Sequence, residues 1–232
     1  MGAKSRPAAP GPAPSGWASY RLFYEQFRRH FLATGAIAPS SAFLARAITA
    51  PLAHACRAGR TGLRVLEVGP GTGVFTRAIL QQLRSGDALD IYEINPAFEP
   101  LLRARLMQAR VESRGITVGL HIADICQSPP AAYDYIVSGL PLNNFAPEQV
   151  SAILALFMER LSPGGVLSYF EYAGVRGLKS ALVHNPAERD RLRQVGAVVH
   201  QFLSTHRHRE SLVPLNLLPA VARHVSRASL PA

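Results

Sequence analysis

Val65-Leu66-Glu67-Val68-Gly69-Pro70-Gly71-Thr72-Gly73 is the stretch of this sequence that decides the fold. A short apolar run at 63–68 stops at glycines 69, 71 and 73, and an amphipathic segment from Phe75 to Leu83 follows. A run of that length and composition reads as a strand buried on both faces. Glycines in the turn after it tolerate unusual backbone angles and let a ligand approach where a Cβ would collide. Their spacing is Gly-x-Gly-x-Gly rather than Gly-x-Gly-x-x-Gly, which argues against a nicotinamide dinucleotide.

Outward from this unit the pattern keeps alternating. Strands are expected at 88–94, 116–124, 133–139 and 165–173, with helices at 96–110 and 147–161 between them. Strands alternating with helices of this size indicate a parallel sheet covered on both faces. Two β-prone stretches, 197–204 and 211–217, are expected to complete one edge as a hairpin, giving seven strands. The fold class is therefore α/β and Rossmann-like, a mostly parallel seven-stranded sheet with extra N-terminal helices.

Upstream, residues 1–16 are rich in Pro, Ala and Gly without the apolar run of a secretory signal, and read as a disordered tail. Residues 17–60 read as helices placed over the domain at 61–232. Trp17, Tyr20, Tyr24, Phe27 and Phe31 follow 3-4-3-4 spacing with arginines alongside, and a second helix is expected from Ala42 to about Arg57. The longest apolar stretches are strand-sized, too short to cross a bilayer. Charge divides unevenly: residues 1–60 hold eight Lys/Arg against one acid, 61–172 eight against eleven, and 173–232 nine against three. A slightly acidic centre between basic ends favours an anionic partner, either nucleic acid or a membrane surface. The two cysteines, Cys56 and Cys126, read as reduced thiols, and no Cys/His cluster has metal-ligand spacing.

Three acids stand at strand ends in order: Glu67 before the turn, Glu93 in IYEINP and Asp124 in HIADIC. The carboxyl edge of parallel strands is where open α/β sheets bind ligands. A carboxylate at Glu93 can accept both ribose hydroxyls of an adenosine, and Asp124 is placed to meet an adenine amino group. With the glycine turn, these residues resemble the S-adenosylmethionine-dependent methyltransferase superfamily across about residues 60–175. The resemblance implies that S-adenosylmethionine is the cofactor. It gives Glu67, Gly69, Gly71 and Gly73 to the methionine part, Glu93 to the ribose, and Asp124 with Ile125 to the adenine. Ser138 and Gly139 join the same set.

The acceptor is addressed by Ser138-Gly139-Leu140-Pro141-Leu142-Asn143-Asn144-Phe145. Base-directed N-methyltransferases carry a polar residue, prolines and an aromatic here, so that the target amine is hydrogen-bonded and its ring stacked. Gly139 supplies no acceptor and Leu142 no aromatic face, which argues against nucleic acid; Phe145 could replace the aromatic from three residues further on. SGLPLNNF instead resembles the soluble bacterial phosphatidylethanolamine N-methyltransferases. ATGAIAPSSAFLARAI (33–48) and Asn216-Leu217-Leu218-Pro219-Ala220 are similar to two further segments of that family, with Leu218 in place of a proline.

Membership implies stepwise methylation of phosphatidylethanolamine toward phosphatidylcholine by a cytoplasmic protein held peripherally at the inner membrane. The helix at 17–32 has the aromatics and arginines to lie on an anionic membrane surface, or it caps its own domain. The attacking amine must first lose a proton. Tyr24, Glu171, Tyr172 and His206 are the candidate bases, unranked by the sequence. Tyr20, Tyr24, Phe145 and Tyr172 are candidates to face a methylated ammonium. Ser40, Ser41, Arg207 and Arg209 are candidates for the lipid phosphate, and Leu140, Pro141 and Asn216 complete the substrate set.

Overall fold

The computed structural model describes residues 42–172, 186–216 and 219–228. The tail, the aromatic helix at 17–32 and the candidates Tyr20, Tyr24, Ser40 and Ser41 lie outside them, as do Leu217 and Leu218.

The strand before the glycine turn, β1 (Arg64–Val68), lies at the centre of the sheet. It pairs in parallel with β2 (Ala88–Tyr92) on one side and β4 (Tyr133–Ser138) on the other. Beyond these lie β3 (Thr117–His121) and β5 (Leu161–Tyr172), both parallel, and then the antiparallel hairpin of β6 (His208–Val213) and β7 (Ala220–Ser226). The order is β3-β2-β1-β4-β5-β7-β6. Strand order reverses direction between β1 and β4, which opens a crevice at their carboxyl ends.

Helices cover both faces. On one, α1 (Ala42–Ile48), α2 (Ala50–Arg57) and α3 (Val74–Gln82) bury Leu44, Ile48, Leu52, Phe75 and Ile79 against Val65, Ile91 and Phe170. On the other, α5 (Pro147–Arg160) and α6 (Pro186–Ser204) bury Val150, Phe157, Val195 and Val199 against Leu66, Ile136 and Tyr169. Between β2 and β3 runs α4 (Glu99–Gln108), which buries only Leu102. Fully burying one such aliphatic or aromatic side chain contributes about 1.5–3 kcal/mol. Below the sheet, the fully buried Asp87 carboxylate accepts from the amides of Leu63 (2.9 Å) and Arg84 (2.8 Å), tying the start of β1 to the turn before β2.

The structure corrects two expectations. The helix expected over 42–57 divides at Thr49, whose hydroxyl donates to the Ala45 carbonyl at 2.8 Å just before Pro51. A hydroxyl bonded four residues back and a proline two residues on both bend a helix. The segment 197–204 is the last half of α6, not a strand. Leu192, Val195, Val199 and Leu203 are its buried stripe, and this 3-4-4 spacing overrides the local β-branched residues. The edge hairpin consequently starts later, at His208, with Ala220–Ser226 as its second strand.

Candidate cofactor site and acceptor loop

The three turn glycines all take positive φ, +70° at Gly69, +54° at Gly71 and +75° at Gly73. The Gly69 amide donates to the Tyr92 carbonyl at 2.9 Å, and Gly73 is the N-terminal cap residue of α3. Glu93, almost wholly buried, accepts from the Gly71 amide (3.0 Å) and the Asn95 amide (2.8 Å), so its carboxylate fastens the turn to the loop after β2. Asp124 accepts from the Cys126 amide at 2.9 Å and caps the short turn Ile125–Gln127. Gly69, Glu93, Asp124, Ile125, Leu140 and Tyr92 line one cleft. The Tyr92 ring stacks on His121 at 4.4 Å, walling its side.

Glu67 is fully buried on β1 beneath the start of α3, where Thr76 is its neighbouring donor. Burial raises its pKa to about 8, with the Glu93 charge adding to the rise; the neighbouring Thr76 and Arg105 act the other way.

Ser138 and Gly139 stand behind the turn and do not line the cleft. The Ser138 hydroxyl is fully buried and accepts from the Leu140 amide at 3.3 Å, while the Gly139 amide donates to the Val68 carbonyl at 2.8 Å. They shape the site from outside it. Of the acceptor set, Leu140 reaches the cleft, Pro141 is half-buried, and Asn216 is buried beyond the end of β6, at the same sheet edge as Tyr172. Phe145 is 1% exposed and packs in the core with Phe157, so its ring presents no face to an acceptor.

The base candidates separate. Tyr172 ends β5 at the ligand edge, half-buried with its ring edge-on to Phe170 at 5.3 Å, and desolvation raises its hydroxyl pKa. Glu171 is held in a buried ion pair by Arg223 Nε at 2.7 Å, and Arg223 also bonds Glu210. His206 and Arg207 are at the wrong end of the sheet. The Ser226 amide donates to the Arg207 carbonyl, and Ser226 pairs with Val166 near the start of β5. Arg209 lies in mid-strand opposite His224. The hairpin's late start puts these residues where parallel strands begin, away from the crevice.

Two residues that brace the site carried no signal in the pattern. Arg105, on α4, donates from Nε to the Thr72 carbonyl at 2.6 Å and props the glycine turn. Arg191, on α6, donates from one amino group to the carbonyls of Asn143 (2.9 Å) and Phe145 (3.0 Å), fixing the loop after β4. No group of His, Cys, Asp and Glu among the described residues could hold a metal ion.

A glycine turn flanked by strand-end acids at the switch of a parallel sheet defines a Rossmann-like cofactor-binding domain. A methyltransferase-domain family model matches residues 66–167. The ornithine lipid N-methyltransferase of Singulisphaera acidiphila is 28% identical over 153 residues, 63% of this chain and 74% of that protein. The O-methyltransferase TomG of Streptomyces achromogenes, solved with its cofactor, shares the fold at a TM-score of 0.58 and 13% identity, over 94% of this chain and 92% of that one. The N-methyltransferase NodS of Bradyrhizobium japonicum does so at 0.53 and 16% identity, over 80% and 87%. Residues 66–167 thus carry the methyltransferase domain, and the fold around them is that of S-adenosylmethionine-dependent methyltransferases.

Proposed function

We propose that this methyltransferase transfers methyl groups from S-adenosylmethionine to the amine of a lipid headgroup, with phosphatidylethanolamine and its methylated intermediates as substrates and phosphatidylcholine as product. The observation that carries the reading is the loop after β4. Where a base-directed enzyme needs an acceptor and an aromatic face, this chain has Gly139 packed on Gly69, Leu142 buried and Phe145 enclosed in the core. That loop recognises no flipped base. A lipid N-methyltransferase among its relatives supports an aminolipid instead.

In this reading Glu67 and the turn at 69–73 hold the methionine part, Glu93 the ribose, and Asp124 with Ile125 the adenine. The cofactor supplies an electrophilic methyl on a sulfonium. The protein's own contribution is to hold the amine in line with that methyl. Leu140 and Pro141 form the apolar wall on the acceptor side, and the buried Asn216 and Tyr172 stand at the same edge. Tyr172 keeps its proton at neutral pH, so it orients the amine by hydrogen bonding, and the amine's proton leaves to solvent. No helix among the described residues is long and apolar enough to cross a membrane. The protein works at the cytoplasmic membrane surface, with the aromatic and basic segment at 17–32 as its contact.

The deciding experiment offers methyl-labelled cofactor, in parallel, to vesicles containing phosphatidylethanolamine, to vesicles containing ornithine lipid, and to total RNA. Label in mono-, di- and trimethylated phosphatidylethanolamine is the expected result. Label in ornithine lipid alone would move the substrate while keeping the aminolipid class, and label in RNA alone would overturn both.

A further inference from the structure

A second cavity lies between α3 and α4, sharing no lining residue with the cofactor cleft. It has a volume of about 200 Å3 and is lined by Arg77, Arg105, Arg114, Gln81, Gln108 and Leu80. Three arginines line it without a carboxylate in its wall, and none of the three is ion-paired among the described residues.

Each arginine is held differently. Arg114 donates to the carbonyls of Leu80 (2.9 Å), Leu83 (2.7 Å) and Ala109 (3.3 Å) at the C-terminal ends of α3 and α4, which fixes its position without a carboxylate partner. Arg105 spends only Nε, on the Thr72 carbonyl, so both terminal amino groups remain available. Arg77 is exposed and has no partner among the described residues, and neither have the side-chain amides of Gln81 and Gln108. Three like charges beside one groove repel one another, and a multivalent oxyanion with several acceptor oxygens removes that cost while meeting the guanidinium forks.

We propose that the α3–α4 groove binds a phosphate group through Arg77, Arg105 and Arg114, and that occupancy is coupled to the cofactor turn through Arg105. An anion drawing on the free end of Arg105 acts on the same side chain that holds Thr72. The coupling is reciprocal, since whatever the anion does to cofactor affinity the cofactor does to the anion. This site is independent of which amine is methylated. A soluble phosphate and a phosphate-bearing lipid headgroup share the chemistry it recognises.

The test uses the full chain. Inorganic pyrophosphate is titrated calorimetrically with and without saturating S-adenosylhomocysteine. In a second arm, sedimentation is measured with phosphatidylcholine vesicles with and without phosphatidate. Arg77→Ala and Arg77→Glu are the variants; the residue is exposed and unpartnered, and unchanged melting temperatures verify that they fold. We expect pyrophosphate binding to weaken about tenfold in Arg77→Ala and to vanish in Arg77→Glu. We also expect S-adenosylhomocysteine to shift pyrophosphate affinity about threefold or more in the wild type. Phosphatidate-dependent sedimentation lost in Arg77→Glu, without pyrophosphate binding, would assign the phosphate to lipid; the reverse would assign it to a soluble ligand. Absence of binding in both arms, or binding equal in wild type and Arg77→Glu, would overturn the site. Binding without a shift by S-adenosylhomocysteine would overturn the coupling.

Discussion

The Gly139 backbone lies so close to Gly69 that a Cβ on Gly139 would stand 2.3 Å from the Gly69 carbonyl oxygen. The obstacle is backbone, so no side-chain rotation relieves it, and the end of β4 and the cofactor turn must move apart. Gly139→Ala is therefore expected to lower stability by about 1–3 kcal/mol and to weaken cofactor binding. Gly71 makes the contrast. Its φ is +54°, but nothing lies within 4 Å of where its Cβ would be. Gly71→Ala should cost only the conformational strain, about 1 kcal/mol. Thermal melts and cofactor titrations of the two variants check the order; equal losses would remove the contact as the cause.

Glu67 predicts a pH dependence. Burial holds its pKa near 8 in the free protein, against an ordinary 4.5, so at pH 7 the carboxyl is mostly protonated. If it ionises to meet the methionine ammonium, binding releases a proton, and affinity rises as pH approaches 8. The rise is limited to about tenfold per pH unit. The stability of the free protein runs the opposite way. A raised carboxyl pKa favours folding fully below about 4.5, and that contribution is lost as pH rises through 8. Glu67→Gln should raise free-protein stability at pH 8 and weaken the cofactor. Calorimetry in buffers of different ionisation enthalpy counts the protons directly, and zero release at pH 7 would refute the role.

The central half of the fold was legible because buried parallel strands leave contiguous apolar runs. Leu63–Val68 ending on glycines could be little else, and Glu93 and Asp124 followed from where the next two strands ended. The failures lay where local preference and tertiary context disagree. Val198 and Val199 pulled 197–204 toward a strand, although Leu192, Val195, Val199 and Leu203 carry a helical stripe from the Pro186 start. That misreading also left 205–210 as the hairpin's turn, whereas the first strand of the hairpin begins at His208. Phe145 was legible as an aromatic in the acceptor loop, but its enclosure depends on α5. Arg105 and Arg191 act on carbonyls 33 and 46–48 residues away, and backbone partners at that separation leave no trace in a pattern.

Arg191 offers a test of the acceptor loop apart from the cofactor site. Its single amino group bonds the carbonyls of Asn143 and Phe145. Without it the loop that follows Leu140 loosens while Glu67, the glycine turn and Glu93 keep their contacts. Arg191→Ala is expected to reduce kcat about tenfold or more, as misplacement near the chemistry does, with cofactor affinity nearly unchanged. Arg191→Lys should recover part of the loss, because one donor survives. A parallel fall in cofactor affinity would show that the loop and the cofactor cleft are not separable.

Glu171 distinguishes position from participation. It sits beside Tyr172 in sequence, yet its carboxylate is committed to Arg223, itself bonded to Glu210 on the next strand. The pair joins β5 to β7 on the face opposite Tyr172. Removing the charge leaves Arg223 with one carboxylate still in place, so Glu171→Gln should cost about 1–2 kcal/mol, less than a buried charge left wholly unpaired. A general base carries about 10²- to 10⁴-fold in rate, whereas Glu171→Gln should leave kcat within about threefold and the pH profile of methyl transfer unmoved. Tyr172→Phe should instead raise KM for the amine with little change in stability, since the ring still packs edge-on against Phe170. Loss of the acidic limb in Glu171→Gln would restore that carboxylate as the base and would require Arg223 to release it during turnover.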